Sequence, residues 1–149
     1  KNSTSRDNAQ AVRILHDLAI DIYASFILRP EFTHTDFAAL REHCRQLELS
    51  YASYAVLTPL PGTDLYQEVR DQLIIHNYDY FDFIHTLLPT SLPLKEFYAE
   101  YHDLFLKGIT LNKQYALLQK YPLKELPHLL VKVGRFYKRL KTAYQDYEN

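Results

Sequence analysis

The stretch Ala-Ile-Asp-Ile-Tyr-Ala-Ser-Phe-Ile-Leu at residues 19–28 decides the fold class of this chain. It is almost continuous in apolar, β-branched and aromatic residues, which is typical of a strand covered on both faces in a parallel sheet. A second short apolar run occupies residues 51–57, and the Thr58–Thr63 turn that follows contains two prolines, which cannot donate to a ladder. We therefore predict two buried parallel strands.

Helical patterns flank both strands. Apolar residues recur at intervals of three and four from Asp7 to Leu18, with Asp7 as the cap, and again in a second helix that Thr33 or Thr35 caps and that ends near Leu49. Strands that alternate with helices in units of about thirty residues indicate right-handed βα crossovers. Because two strands do not make a stable sheet, we expect part of the sheet to be missing or supplied by another copy.

The carboxy-terminal half of the chain has a different pattern. A short helix that ends near Leu73 is followed by an aromatic stretch at residues 78–83, and helical patterns return at residues 94–107 and 126–147. The sequence thus predicts an α/β fold with two parts. Residues 1–73 would form βα units with parallel strands, and residues 74–149 an α-helical carboxy-terminal extension or cap.

Composition excludes several functional classes. The 149 residues fit one domain, and a net charge of −1 leaves no excess of basic residues to neutralise nucleic acid. No apolar run approaches the roughly 18 residues of a membrane span. The single cysteine, Cys44, makes neither a disulfide framework nor a thiolate metal cluster, which favours a cytoplasmic protein. The sequence has no methionine, so we expect a fragment of a longer chain.

The charged and aromatic residues give weaker functional signals. The basic stretch at residues 132–141 has helical spacing, and we interpret it as a solvated helix face in preference to a membrane-surface contact. The carboxylate pairs of residues 79 and 82 and of residues 96 and 100 are interpreted as solvated acids. The many tyrosines and phenylalanines mostly fit a packed core rather than a surface for stacking bases.

Two local features stand out for function. His85 follows Phe83 and Ile84 and is the histidine best placed to point into a pocket, although no histidine pair has the spacing of a metal site. The Thr58–Thr63 turn is the sharper signal, because barrel enzymes bind their substrates at the carboxyl ends of parallel strands.

Four segments together carry a resemblance to a known family. They are Lys-Asn-Ser-Thr at residues 1–4, Ala-Val-Arg-Ile-Leu at 11–15, Ile-Asp-Ile-Tyr-Ala-Ser-Phe-Ile at 20–27 and Leu-Thr-Pro-Leu-Pro-Gly-Thr-Asp-Leu-Tyr at 57–66. In order and spacing these segments resemble the late strands of the radical S-adenosylmethionine barrel. The resemblance implies that residues 1–73 form part of a (βα) barrel with parallel strands. The Tyr-Asp stretch at residue 78 and the segment Leu92–Tyr98 are similar to the cobalamin-binding subgroup, which includes hopanoid-type methylases. The resemblance covers about residues 1–105.

The resemblance implies the position of a cofactor site. Ser25 and Ile27 at the end of the first strand, and Thr58 and Leu60 at the end of the second, would lie near the adenosine of S-adenosylmethionine. Asn2 would lie near its ribose or amino-acid end. The activity implied is that of an iron–sulfur enzyme, and the subgroup points to a methyltransferase; the residues themselves leave the use of cobalamin open.

One departure from the family bears directly on catalysis. Its members hold a [4Fe–4S] cluster on a Cys-x-x-x-Cys-x-x-Cys loop, and this sequence has no such loop. We therefore expect no catalytic residue, no metal and no bound cofactor in this piece alone, and the partner would be the missing amino-terminal half of the same enzyme.

The alternative is a non-enzymatic α/β module that forms homo-oligomers or binds a partner through its strand edge. If this piece folds alone, we expect this edge to be covered by a second copy or by the tail helices of the chain.

Overall fold

The computed structural model describes residues 5–49, 51–108, 112, 115 and 118–147. In chain order the elements are α1 (Ser5–Asp17), β1 (Tyr23–Leu28), α2 (His34–Gln46), β2 (Tyr51–Val56), α3 (Asp64–Val69), 3₁₀ turns at Arg70–Gln72 and Tyr78–Tyr80, α4 (Leu94–Lys107), α5 (Leu126–Thr142) and a last 3₁₀ turn at Ala143–Tyr147. The predicted α/β class and the helical carboxy-terminal half are confirmed.

The sheet is a parallel pair. Tyr23 lies opposite Tyr51 and Leu28 lies opposite Val56, and α2 makes the connection between the strands. This confirms the predicted parallel pairing. Among the described residues the sheet has only these two strands, so the (βα) barrel stays a prediction.

Strand β1 begins four residues later than predicted, because the end of α1 uses the intervening backbone. The N–H of Ile20 donates to the carbonyl of Leu15, and the N–H of Ala19 to the carbonyl of His16, at 2.9 Å each. Ala19 has a φ of 54°, in the left-handed region. This pattern is a Schellman motif, which ends a helix with one left-handed residue. The apolar run at residues 19–28 therefore contains the end of a helix as well as a strand.

The prediction that β1 is covered on both faces is wrong for one face. Ala24, Phe26 and Leu28 face the core, but Tyr23 and Ile27 on the other face are 69% and 62% exposed. Alternate residues of a strand point to opposite faces, so among the described residues the helices pack on one face of β1. The apolar residues of the other side meet solvent.

The starts of the first two helices show how local chemistry sets their bounds. Thr33 caps α2, since its side chain accepts from the N–H of Asp36 and the Asp36 carboxylate accepts from the N–H of Thr33. This reciprocal pair is a capping box and confirms one of the two predicted caps. The prediction for α1 is wrong: the helix begins at Ser5, so Asp7 lies within its first turn.

The core lies between the inner face of the sheet and the helices. Phe37 from α2 packs edge-to-face on Phe97 from α4 with ring centroids 5.4 Å apart, and both side chains are fully buried. Burial of each such ring stabilises the fold by roughly 1.5–3 kcal/mol. Leu140 of α5 belongs to the same cluster. Residues from both predicted parts of the chain therefore share one core, and the boundary at residue 73 stays a prediction.

The carboxy-terminal half also covers the outer edge of β2. The N–H of Val56 donates to the carbonyl of Phe83 at 2.7 Å, and the hydroxyl of Tyr101 donates to the carbonyl of Tyr54 at 2.7 Å. Both backbone groups point away from β1. The hydrogen bonds to β1 are donated by other residues, such as Tyr51 and Leu57. The described sheet thus ends at β2, whose outer edge is bonded to residues 83 and 101, and coverage of the other edge, at β1, stays a prediction.

Candidate functional site

The candidate site is the exposed face of the sheet and the loop at its carboxyl end. By register, Tyr23, Ser25 and Ile27 of β1 stand beside Tyr51, Ser53 and Ala55 of β2 on this face. The hydroxyl oxygens of Ser25 and Ser53 are 2.9 Å apart, so they form a hydrogen bond across the two strands. The face combines a pair of small hydroxyls with apolar and aromatic side chains.

The structure brings together two of the five residues predicted for the cofactor. Ser25 and Ile27 share the exposed face. Thr58 is buried, and its hydroxyl donates to the carbonyl of Val56 at 3.0 Å, whereas Leu60 is 38% exposed. Asn2 lies outside the described residues. Their roles toward S-adenosylmethionine stay predictions.

The loop after β2 is built by its own turn chemistry. Gly62 has a φ of 89°, a left-handed conformation that glycine adopts at little cost. Thr63 caps the short helix α3 by accepting from the N–H of Tyr66, and its hydroxyl donates to the carbonyl of Leu60 at 2.7 Å. The loop therefore turns sharply away from the strand and holds Leu60 in a fixed position.

His85 lies beside this loop and is held by two carboxylates. The bond between Val56 and Phe83 places the 82–86 segment next to the end of β2. His85 is 2% exposed; its Nδ1 lies 3.0 Å from Asp82 Oδ2, and its Nε2 lies 3.0 Å from Asp146 Oδ2. Ionised carboxylates only accept, so both contacts are hydrogen bonds when both ring nitrogens carry protons. His85 thereby fastens the tail to this loop.

Asp82 is also the anchor of the local backbone. Its Oδ1 accepts from the N–H groups of Ile84 and His85, each at 2.9 Å. Burial raises the pKa of the Asp82 carboxyl, but these backbone donors and the charge of His85 outweigh it and hold the pKa below its ordinary value. The bond from the N–H of Ile84 makes this an Asx turn, and Asp as a turn former is a signal that the sequence could have offered.

A pair of tyrosines completes the connection to the tail. The hydroxyls of Tyr98 and Tyr147 are 2.6 Å apart, and the Tyr147 hydroxyl donates to the carbonyl of Thr86 at 2.9 Å. The Tyr98 hydroxyl accepts from the N–H of Thr86 at 3.1 Å. Burial raises the pKa of Tyr147 to about 12 and that of Tyr98 further. These phenols stay neutral at physiological pH, and the network is structural.

A second polar cluster joins α2 to α4. Glu100 accepts from Arg41 at 2.5 Å and lies 2.7 Å from the Nδ1 of His34, whose Nε2 lies 3.1 Å from Glu96. Hydrogen bonds to Glu100 and Glu96 raise the pKa of His34 above its ordinary value. The interpretation of Glu100 as a solvated acid is wrong, since its side chain is 19% exposed and paired. The cluster borders a shallow cavity of about 280 Å³.

The residues present do not fit an iron–sulfur cluster. Cys44 is 1% exposed, and the Tyr54 hydroxyl donates to its Sγ at 3.5 Å. Burial raises the pKa of this thiol, which disfavours the thiolate that a metal needs. Across the described ranges, no group of three or more His, Cys, Asp or Glu side chains is arranged to hold a metal ion.

Comparisons with known proteins give two curated relatives. The chain is 33% identical over 93 residues to the hopanoid C-3 methylase of Methylococcus capsulatus, an alignment that covers 62% of this chain and 18% of that protein. It is 30% identical over 87 residues to the anaerobic magnesium-protoporphyrin IX monomethyl ester cyclase of Cereibacter sphaeroides, which covers 56% of this chain and 14% of that protein. The matched region is thus less than a fifth of either relative.

Other comparisons add no assignment. No family model matches the chain, and no solved structure matches it. In the part of the chain that the structure describes, none of the helices has the length and apolar character needed to cross a membrane.

Proposed function

We propose that this chain is part of a radical S-adenosylmethionine enzyme and supplies late strands of its barrel together with a helical carboxy-terminal cap. The observation that carries the proposal is its similarity to two much larger proteins, both members of that family. The resemblance in the order of four sequence segments points the same way. The hopanoid C-3 methylase further supports a methyltransferase. The subgroup that the sequence segments resemble is one in which cobalamin takes part.

The geometry of the sheet supports this proposal. One face carries the helices and the other carries the exposed side chains of Tyr23 and Ile27, an arrangement that leaves apolar surface in water unless another layer covers it. In a barrel this face would point inward. The outer edge of β2 is already bonded to Phe83 and Tyr101, so further strands would pair with β1.

S-adenosylmethionine would contact this inner face in the whole enzyme. Ser25 and Ile27 are the residues of this chain best placed to touch it, and the Leu60 loop would close one side. The cluster would come from a cysteine loop elsewhere in the enzyme, since Cys44 is buried and alone in the sequence. When bound, cluster and cofactor together would supply the radical; the 149 residues alone would not be catalytic.

The test is the coding sequence upstream of Lys1. A Cys-x-x-x-Cys-x-x-Cys loop there, after an early strand, supports the proposal. The longer protein, reconstituted with iron and sulfide, should then consume S-adenosylmethionine under reducing conditions, and substitution of one loop cysteine by alanine should abolish this. A start codon just upstream with no such loop would overturn the proposal.

The second candidate is a binding module that pairs with itself through the edge of β1. The exposed apolar residues beside that edge, Tyr23 and Ile27, favour it. Sedimentation of the 149-residue chain discriminates between the two: a stable dimer with this face buried supports the module, and a monomer supports the enzyme part.

A further inference from the structure

The outer side of α5 concentrates positive charge. The helix contains five of the 17 Lys and Arg residues of the chain and none of its 18 Asp and Glu residues. Four of them lie on one exposed side, which we call the basic face: Lys132, Arg135, Lys138 and Arg139. Their spacing of three and four residues places them within about a third of the helix circumference. The charge is therefore presented to one side of the molecule.

The basic side chains are not used within the fold. Among the described residues, no ion pair involves Lys132, Arg135, Lys138 or Arg139. Other basic residues do have partners: Arg41 pairs with Glu100. A charged helix face without intramolecular partners is available to an external anionic group.

One apolar side chain lies within the basic face. Val131 is 52% exposed. Val131 lies one turn before Arg135 and two turns before Lys138 on the same side. Lys and Arg can keep their charged ends at a polar boundary while neighbouring apolar groups enter a nonpolar layer.

The inner side of α5 is packed against the core. On its inner side Leu140 is 1% exposed, the ring of Phe136 lies 5.2 Å from that of Phe105, and the ring of Tyr137 lies 5.7 Å from that of His102. The buried side of α5 thus packs against α4. The basic face is exposed on the opposite side, so it can bind without a movement of the helix.

We propose that the basic face of α5, with Val131, docks on the surface of an anionic lipid bilayer. The charge complements acidic headgroups, and the exposed Val131 side chain fits the boundary below them, which a nucleic acid backbone does not offer. The contact is peripheral and does not depend on the function proposed above.

The experiment is flotation of the 149-residue chain with vesicles. One set contains phosphatidylcholine and phosphatidylglycerol at a ratio of 7:3 (about a third acidic lipid), and the other contains phosphatidylcholine alone. We expect binding to the acidic vesicles only, lost as salt is raised about tenfold from low ionic strength. Equal binding to both sets of vesicles, or no binding to either set, would overturn the proposal. This comparison needs only the unmodified chain.

Variants then locate the surface. Replacing the four residues of the basic face by glutamine should weaken partitioning by at least tenfold, since each basic residue near an acidic surface contributes about fivefold. The matched control replaces four exposed basic residues elsewhere by glutamine: Arg13, Arg29, Arg70 and Lys95. Val131→Ser should also weaken binding. An equal loss in the control, or binding to duplex DNA but not to acidic vesicles, contradicts membrane docking.

Discussion

The hydroxyl oxygens of Ser25 and Ser53 lie 2.9 Å apart across β1 and β2, on the face of the sheet opposite the helices. The bond joins neighbouring strands at equivalent positions of a parallel register. On the same face, Ile27 is 62% exposed. This face therefore places a polar pair next to an exposed aliphatic side chain. Its exposure to solvent would change most if another layer covered the sheet.

Solvent access to Ile27 tests the proposed barrel. In the 149-residue chain, an Ile27→Cys variant should react rapidly with a maleimide. In the longer protein that includes upstream strands, labelling should slow by at least about tenfold, because the side chain becomes buried. Mass spectrometry of labelled protein measures both rates. Leu123→Cys, at an 84% exposed position, should react in both proteins, and buried Cys44 in neither. Equal rates for Ile27→Cys would contradict the barrel.

Asp82 should make a pH-dependent contribution to stability. Asp82→Ala removes the acceptor of two backbone N–H groups and of His85, and we expect a loss of about 1–3 kcal/mol at neutral pH. The pKa of Asp82 is lowered by folding, so its contribution is present above the ordinary value and disappears as pH falls through the folded value. Urea unfolding should therefore show a smaller difference at acidic pH than at neutral pH.

The control for this measurement is three residues away. Asp79 is exposed, and Asp79→Ala should change the free energy of unfolding by less than about 0.5 kcal/mol at either pH. If both variants lose the same stability, or if the effect of Asp82→Ala is unchanged in acid, the His85 contacts do not hold the tail as described.

Glu100 should set the titration of His34. The hydrogen bond to Glu100 is the largest cause of the raised pKa of His34. Glu100→Gln should therefore return this pKa toward its ordinary value of about 6.5. Because folding raises the pKa, the stabilisation is present below the ordinary value and is lost as pH rises through the folded value. Histidine ring proton shifts in NMR follow the titration. Glu42→Gln, on α2 but paired with Arg45, should leave it unchanged.

Two glycines should respond oppositely to alanine. A Cβ on Gly108 would collide with the hydroxyl of Tyr54 and the carbonyl of Leu104, so Gly108→Ala should destabilise the fold by about 1–3 kcal/mol. Gly134 lies inside α5 with no atom within 4 Å of a Cβ, so Gly134→Ala should stabilise it by roughly 0.5–1 kcal/mol. Thermal unfolding compares them. A gain with Gly108→Ala would show that α4 does not end against Tyr54.

Sequence reasoning was most successful where a single periodicity governs a segment. Helix α4 has the predicted bounds, Leu94–Lys107, because aromatic residues at intervals of three and four leave no other regular structure. It failed at the start of β1, because Ala19 adopts a left-handed conformation that glycine or asparagine usually marks. It also missed that β1 has one bare face, since the pattern of 19–28 is apolar on both.

The candidate site was predictable in part for a similar reason. Ser25 and Ile27 were named from their place in a strand, and strand alternation puts them on one face. The contact between His85 and Asp146 joins residues 61 apart in sequence, and no local pattern encodes it. The pairing of Glu100 with Arg41 likewise depends on how α2 and α4 pack.

The bonded edge of β2 limits how copies of this chain could assemble. The N–H of Val56 is already bonded to the carbonyl of Phe83, and the carbonyl of Tyr54 to the hydroxyl of Tyr101, so a second copy could add only beside β1. Two copies related by a twofold axis would join β1 to β1 and give the strand order β2-β1-β1-β2, in which both ends are occupied. Such growth terminates at a dimer and cannot propagate into a filament, which removes the usual hazard of an unpaired strand.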